Sequence, residues 1–113
     1  MSLPEEGYLL RIFIGESDKH EGKPLYEWIV LKAKLEGLAG ATALRGMMGF
    51  GANSRDIQTF KIERLSSDMP MVVELVDTKE NLERFLETIE GHIHAGLVTL
   101  EKAQIRFYRS SAK

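Results

Sequence analysis

The stretch Pro70-Met71-Val72-Val73-Glu74-Leu75-Val76-Asp77 constrains this 113-residue chain more than any other. Met71 to Val76 is apolar and rich in β-branched residues, opens after a proline and is broken only by Glu74. Such a run predicts a strand with both faces covered, and therefore a central place in a sheet. It continues without a linker into a helical pattern. Asp77 and Glu80 have the D-x-x-E spacing of a capping signal, and Leu82, Phe85, Leu86, Ile89 and Ile93 follow at i, i+3 and i+4. A central strand that runs straight into an amphipathic helix requires a sheet with helices packed on it.

The other segments complete that sheet. Tyr8 to Gly15 is aromatic and β-branched, alternates in part and ends at a glycine, which predicts a first strand. Glu16 to Lys23 is polar, and Pro24 suits a first helical turn because its φ is fixed and it lacks an N–H. From Leu25 to Leu38 the apolar residues form two stripes at helical spacing. Leu25, Tyr26, Ile29, Val30 and Ala33 make the wide face expected to cover a sheet. Trp28, Leu31, Leu35 and Leu38 make a second stripe, which one sheet cannot also cover and which suggests a subunit contact. Gly37 and Gly40 stop the helix, and Ala41 to Met48 predicts a second strand. Gly49 to Asp56 is a run of turn formers read as a mobile excursion, and Ile57 to Leu65 alternates as a half-solvated hairpin arm. After Gly91 to Gly96, strand signals return in Leu97-Val98-Thr99 and, past an interruption at Leu100 to Ala103, in Gln104 to Arg109. The order β, α, β, β, α, β predicts a single α+β domain of the ferredoxin-like kind, an antiparallel sheet with two helices on one face.

Composition narrows the function. Fifteen basic against seventeen acidic residues leave a net charge of −2, so no overall positive field favours nucleic acid. There is no cysteine, which removes disulfides, thiolate metal sites and cysteine nucleophiles and fits a reducing compartment. Residues 1–7 lack the basic start and apolar core of a signal peptide, and no apolar run approaches the ~20 residues that span a bilayer. A cytoplasmic protein without membrane insertion is expected.

Few residues suggest chemistry. His92 and His94 form an H-x-H pair whose side chains would point the same way in an extended loop, but a stable metal site needs three or four ligands. The nucleophile elbow, the phosphate-binding P-loop and the H-E-x-x-H helix do not occur. Glu83, Glu87 and Glu90 fall on the solvent side of the second helix. No catalytic residue is assigned, and an enzyme is not expected. Gly46, Gly49 and Gly51 at the end of a strand permit unusual φ and close backbone approach, as a ligand site or a bulged hairpin would require. Arg106 and Arg109 flank Phe107 and Tyr108, so guanidiniums near aromatic rings could grip a phosphate and stack on a base, or Arg106 could simply face solvent.

In sequence order, Thr42 to Gly51, Pro70 to Asp77, and Gly96-Leu97-Val98-Thr99 through Ile105-Arg106 resemble the PII signalling superfamily, and especially its small PII-like branch. The similarity runs over nearly the whole chain, and its most specific element is Gly49-Phe50-Gly51 before a polar loop. The resemblance implies a homotrimer with its sheets facing inward and an adenine nucleotide in each cleft between subunits. It assigns the ligand to Arg45, Gly46, Met47, Gly49, Phe50 and Gly51, to the Gly91–Leu97 loop with Gly96 and Leu97, and to Arg106 from a neighbour's last strand. The family's basic residues in the loop after the second helix are replaced here by His92 and His94, so AMP and ADP stand beside ATP as ligands. The expected function is a sensor that relays nucleotide occupancy to a protein partner, such as a transporter or another regulatory protein. The alternative is a trimer similar to the CutA proteins that binds a divalent metal through His92 and His94.

Overall fold

A computed structural model describes residues 5–51, 58–59 and 68–111. β1 (Glu6–Gly15) leads into a two-residue hairpin of β2 (Lys19–His20) and β3 (Lys23–Pro24), followed by α1 (Leu25–Leu35). Then come β4 (Gly40–Arg45), β5 (Met48–Gly49), β6 (Gln58–Thr59), β7 (Pro70–Asp77), α2 (Lys79–Ile89) with a 3-10 turn at Glu90–His92, and β8 (Leu97–Gln104). The main sheet has the order β4-β7-β1-β8 and every neighbouring pair is antiparallel. The two split β-α-β units thus interleave as a ferredoxin-like fold, with β1 and β7 in the middle.

The core lies between one face of this sheet and both helices. Leu10, Ile12 and Ile14 of β1 and Met71, Val73 and Leu75 of β7 are buried against Leu25, Ile29 and Ala33 of α1 and Leu82, Phe85 and Ile89 of α2. Strand residues of one parity and helix residues three or four apart are what these two periodicities bring to a common interior. α1 ends in a Schellman motif. Gly37 has φ +77°, the Leu38 N–H donates to Ala33 O at 3.1 Å and the Gly37 N–H donates to Lys34 O at 3.2 Å.

Several sequence expectations change in the structure. The strand of residues 71–76 is central, but its own chain covers only one of its faces. Val72, Glu74 and Val76 are half-buried on the face turned away from the helices. The helix cap falls one residue later than the D-x-x-E spacing suggests, because Thr78 Oγ1 accepts from the Asn81 N–H at 3.1 Å while Asp77 turns inward. The Glu16–Lys23 segment contains the β2–β3 hairpin, whose turn residues Glu21 and Gly22 have φ of +53° and +81°. The second strand is split at Gly46-Met47 into β4 and β5. β8 is continuous through residues 100–103, since an edge strand tolerates Glu101 and Lys102, and it ends at Gln104 rather than Arg109. Of the expected arm at residues 57–65, β6 pairs with β5 as Met48↔Thr59 and Gly49↔Gln58. The remainder of that arm, and most of the excursion before it, lie outside the described residues.

On α1, Leu31 (50% exposed) and Leu35 (83%) remain uncovered as expected for a second stripe. Trp28 does not, because loops reach over it. Its indole lies 4.2 Å from the His20 ring and 4.9 Å from the His92 ring, centroid to centroid.

Candidate functional site: a glycine-rich cleft at one end of the sheet

A cavity of about 300 Å³ opens where β1 and β4 end and β7 and β8 begin. Phe13, Ile14, Met48, Phe50, Pro70 and Val72 give it apolar walls, and Gly15, Gly46, Gly49, Gly51, Ala95 and Gly96 bring backbone to its surface. Asp18 and Asp68 supply its carboxylates. Concave, mostly apolar sites with a few placed polar groups are where small ligands bind.

Two of the glycines are required by close approach. The Gly46 N–H donates to Pro70 O at 2.7 Å, and a Cβ at Gly46 would meet Pro70 Cγ at 2.8 Å. Gly96 has φ +156°, and a Cβ there would meet Phe13 O at 2.6 Å and Ile14 Cγ2 at 3.2 Å. Any side chain at either point would push adjacent strands apart and close the cavity.

Of the residues singled out from the sequence, Gly46, Gly49, Phe50, Gly51 and Gly96 meet in this cavity. Arg45 stands at its rim, with Nη2 3.1 Å from Glu16 Oε1. Met47 is exposed, and Leu97 lies on the open sheet face opposite Phe13. Arg106 follows the end of β8, where Gln104 pairs with Glu6, and is therefore at the far end of the sheet from the cavity. Within one chain Arg106 does not reach the cavity. A role for it there requires a second chain. Phe13, Ile14, Gly15, Asp18, Asp68 and Val72 were not foreseen, because nothing local distinguishes these strand-end and loop residues until antiparallel pairing brings them together.

The histidine pair is separated by its packing. The His92 ring lies 4.5 Å from the His20 ring, edge to face, whereas His94 is exposed over a shallow depression formed with Glu90 and Val98. Among the described residues no group of three or more His, Cys, Asp or Glu is arranged to hold a metal ion.

The face of the sheet away from the helices is also organised. Leu44, Val72, Phe13 and Leu97 stand side by side across all four strands. In the next row Arg11 Nε donates to Glu74 Oε2 at 2.9 Å, and Arg11 Nη1 reaches Glu101 Oε1. The hydrogen bond to Glu74, followed by smaller contributions from Glu101, raises the Arg11 pKa above its ordinary value against the opposing effect of desolvation. Phe13 and Val72 belong both to the apolar row and to the cavity wall, so whatever covers this face also borders the cleft.

The family model for DUF190, described as Uncharacterized ACR, COG1993, matches residues 7–105. The chain belongs to the DUF190 family. The match covers every element from β1 to β8. A UPF0166 protein of Aquifex aeolicus is 44% identical over 97 residues, which is 86% of this chain and 90% of that protein. Another, from Methanocaldococcus jannaschii, is 41% identical over 78 residues, 69% of this chain and 70% of its own. Among solved structures, CPII, a nitrogen regulatory PII-like protein from Thiomonas intermedia K12 bound to ADP, AMP and bicarbonate, superposes with a TM-score of 0.66 at 17% identity, over 88% of each chain. This DUF190 member therefore has the PII-like fold, and the resemblance found in its sequence holds. No helix of the described residues is long and apolar enough to cross a membrane.

Proposed function

We propose that this protein is a non-enzymatic PII-like regulator that binds an adenine nucleotide in the cleft at Gly46–Gly51 and Gly96, within a cytoplasmic homotrimer. The observation that carries this reading is the cavity itself. Gly46 and Gly96 shape it through contacts that leave no space for a Cβ, and it is bordered by the same apolar sheet face that a neighbouring copy would cover. Apolar walls with exposed backbone N–H and C=O groups suit a flat heteroaromatic base. The structural likeness to CPII, which was solved with ADP and AMP, supports an adenine nucleotide as the ligand.

In the trimer each cleft takes its glycines from one chain and Arg106 from the next. The guanidinium then supplies the positive charge for phosphate that the described cleft residues do not. Occupancy is relayed to a protein partner, such as a transporter or another regulatory protein. A ligand shifts a conformational equilibrium only by as much as it binds one state better than the other.

Calorimetric titration of the purified protein with AMP, ADP, ATP and cyclic AMP, with mass measured by light scattering, tests this reading. Saturable binding by a trimer, weakened at least tenfold by Arg106→Ala, is the expected result. A protein that binds none of these at millimolar concentration is not this kind of sensor.

A further inference from the structure

The two carboxylates of the cleft have no place in a site made only for a base and its phosphates, and each is held in position. Asp18 Oδ2 accepts from the Gly15 N–H at 3.0 Å. Asp68 Oδ1 accepts from Ser17 Oγ at 2.7 Å and from the Ser17 N–H at 3.1 Å. They converge on Gly15. The point a Cβ would occupy there is 2.6 Å from Asp68 Oδ1 and 3.4 Å from Asp18 Oδ1, so it is the missing side chain that lets both carboxylates close in on this strand end.

Ionised carboxylates accept hydrogen bonds and donate none, and each has about four acceptor positions, so both can receive more donors than the backbone supplies. A phosphate placed between them would meet like charge without a proton to share. The complementary group is neutral and carries two adjacent O–H donors, as the ribose 2′,3′-diol does. Carboxylates read that diol elsewhere in nucleotide sites.

We propose that Asp18 and Asp68 receive the ribose hydroxyls of the ligand, so that the cleft takes the nucleoside end, points the phosphates outward and discriminates ribonucleotides from deoxyribonucleotides. This rests on the adenine-nucleotide reading above. It adds the orientation of the ligand and names two residues that determine specificity. Both carboxylates are preorganised by backbone N–H groups, so little ordering is needed on binding.

The test is calorimetric titration of the whole protein with AMP, 2′-deoxy-AMP and 3′-deoxy-AMP in EDTA. Loss of one charge-assisted hydrogen bond should weaken each deoxy ligand about ten- to hundredfold relative to AMP. In Asp18→Asn and Asp68→Asn, with folding checked by circular dichroism, that gap should shrink. AMP and its deoxy analogues binding equally to the unmodified protein would overturn the assignment while leaving the nucleotide reading intact. AMP binding that requires magnesium would also overturn it, in favour of a cation between the carboxylates. If no adenine nucleotide binds at all, both readings fall together.

Discussion

Asp77 Oδ2 accepts the backbone N–H of Ala39 at 2.8 Å, joining the end of β7 to the turn that launches β4. The same fully buried carboxylate accepts from the Thr78 N–H at 2.6 Å and from Asn81 Nδ2 at 2.9 Å, while the Tyr108 hydroxyl donates to Ala39 O at 2.6 Å. Asp77→Ala strands three donors and should lower stability by about 3 kcal/mol in urea denaturation. Asp77→Asn keeps one acceptor oxygen and should cost less. Tyr108→Phe, at an exposed site, should cost about 0.5 kcal/mol.

Gly96→Ala should be the most damaging small change at the cleft. Its Cβ would overlap Phe13 O, a backbone atom that cannot swing aside, and its φ is unfavourable for any other residue. A loss of about 1–3 kcal/mol is expected, measured by thermal unfolding, together with loss of nucleotide binding in the protein that remains folded. Gly91→Ala, in open space on the same loop, should leave both unchanged.

The open sheet face predicts an assembly defect separable from folding. Leu44→Asp and Leu97→Asp place charges in an apolar row that the chain does not cover itself. Light scattering should show a lower mass for either variant with an unchanged far-ultraviolet circular dichroism spectrum. Unfolding instead of dissociation would mean that the row is needed within the monomer.

Trp28 provides an optical reporter. His92→Ala removes one of the two imidazoles packed on the indole and should red-shift its emission, with a loss of about 0.5–1.5 kcal/mol in stability.

Much of this was readable from residue pattern because the deciding signals are local and periodic. Leu82, Phe85 and Ile89 announce α2, and Leu25, Ile29 and Ala33 announce the covered side of α1. Gly46, Gly49 and Gly51 could be found because three glycines in six residues stand out in composition, although only Gly46 is needed for a close approach, and Gly96 came from the family resemblance. Asp18 and Asp68 could not, since fifty residues separate them and only the pairing of β1 with β7 makes them neighbours. Residues 71–76 carry two apolar faces, and their own chain covers one of them. A sequence shows that a face avoids water, but not which molecule excludes it. Asp77 resembled a cap because its spacing to Glu80 fits one, yet burial turned it into a tie between the two halves of the fold.

The cleft and Arg106 occupy opposite ends of one sheet, and that arrangement has a genetic consequence. If a working site joins the front of one chain to the rear of the next, damage to either end is shared with a neighbour rather than confined to the chain that carries it. Two copies, one altered at Gly96 and the other at Arg106, would then restore some intact sites when mixed in a single ring, although neither forms one alone.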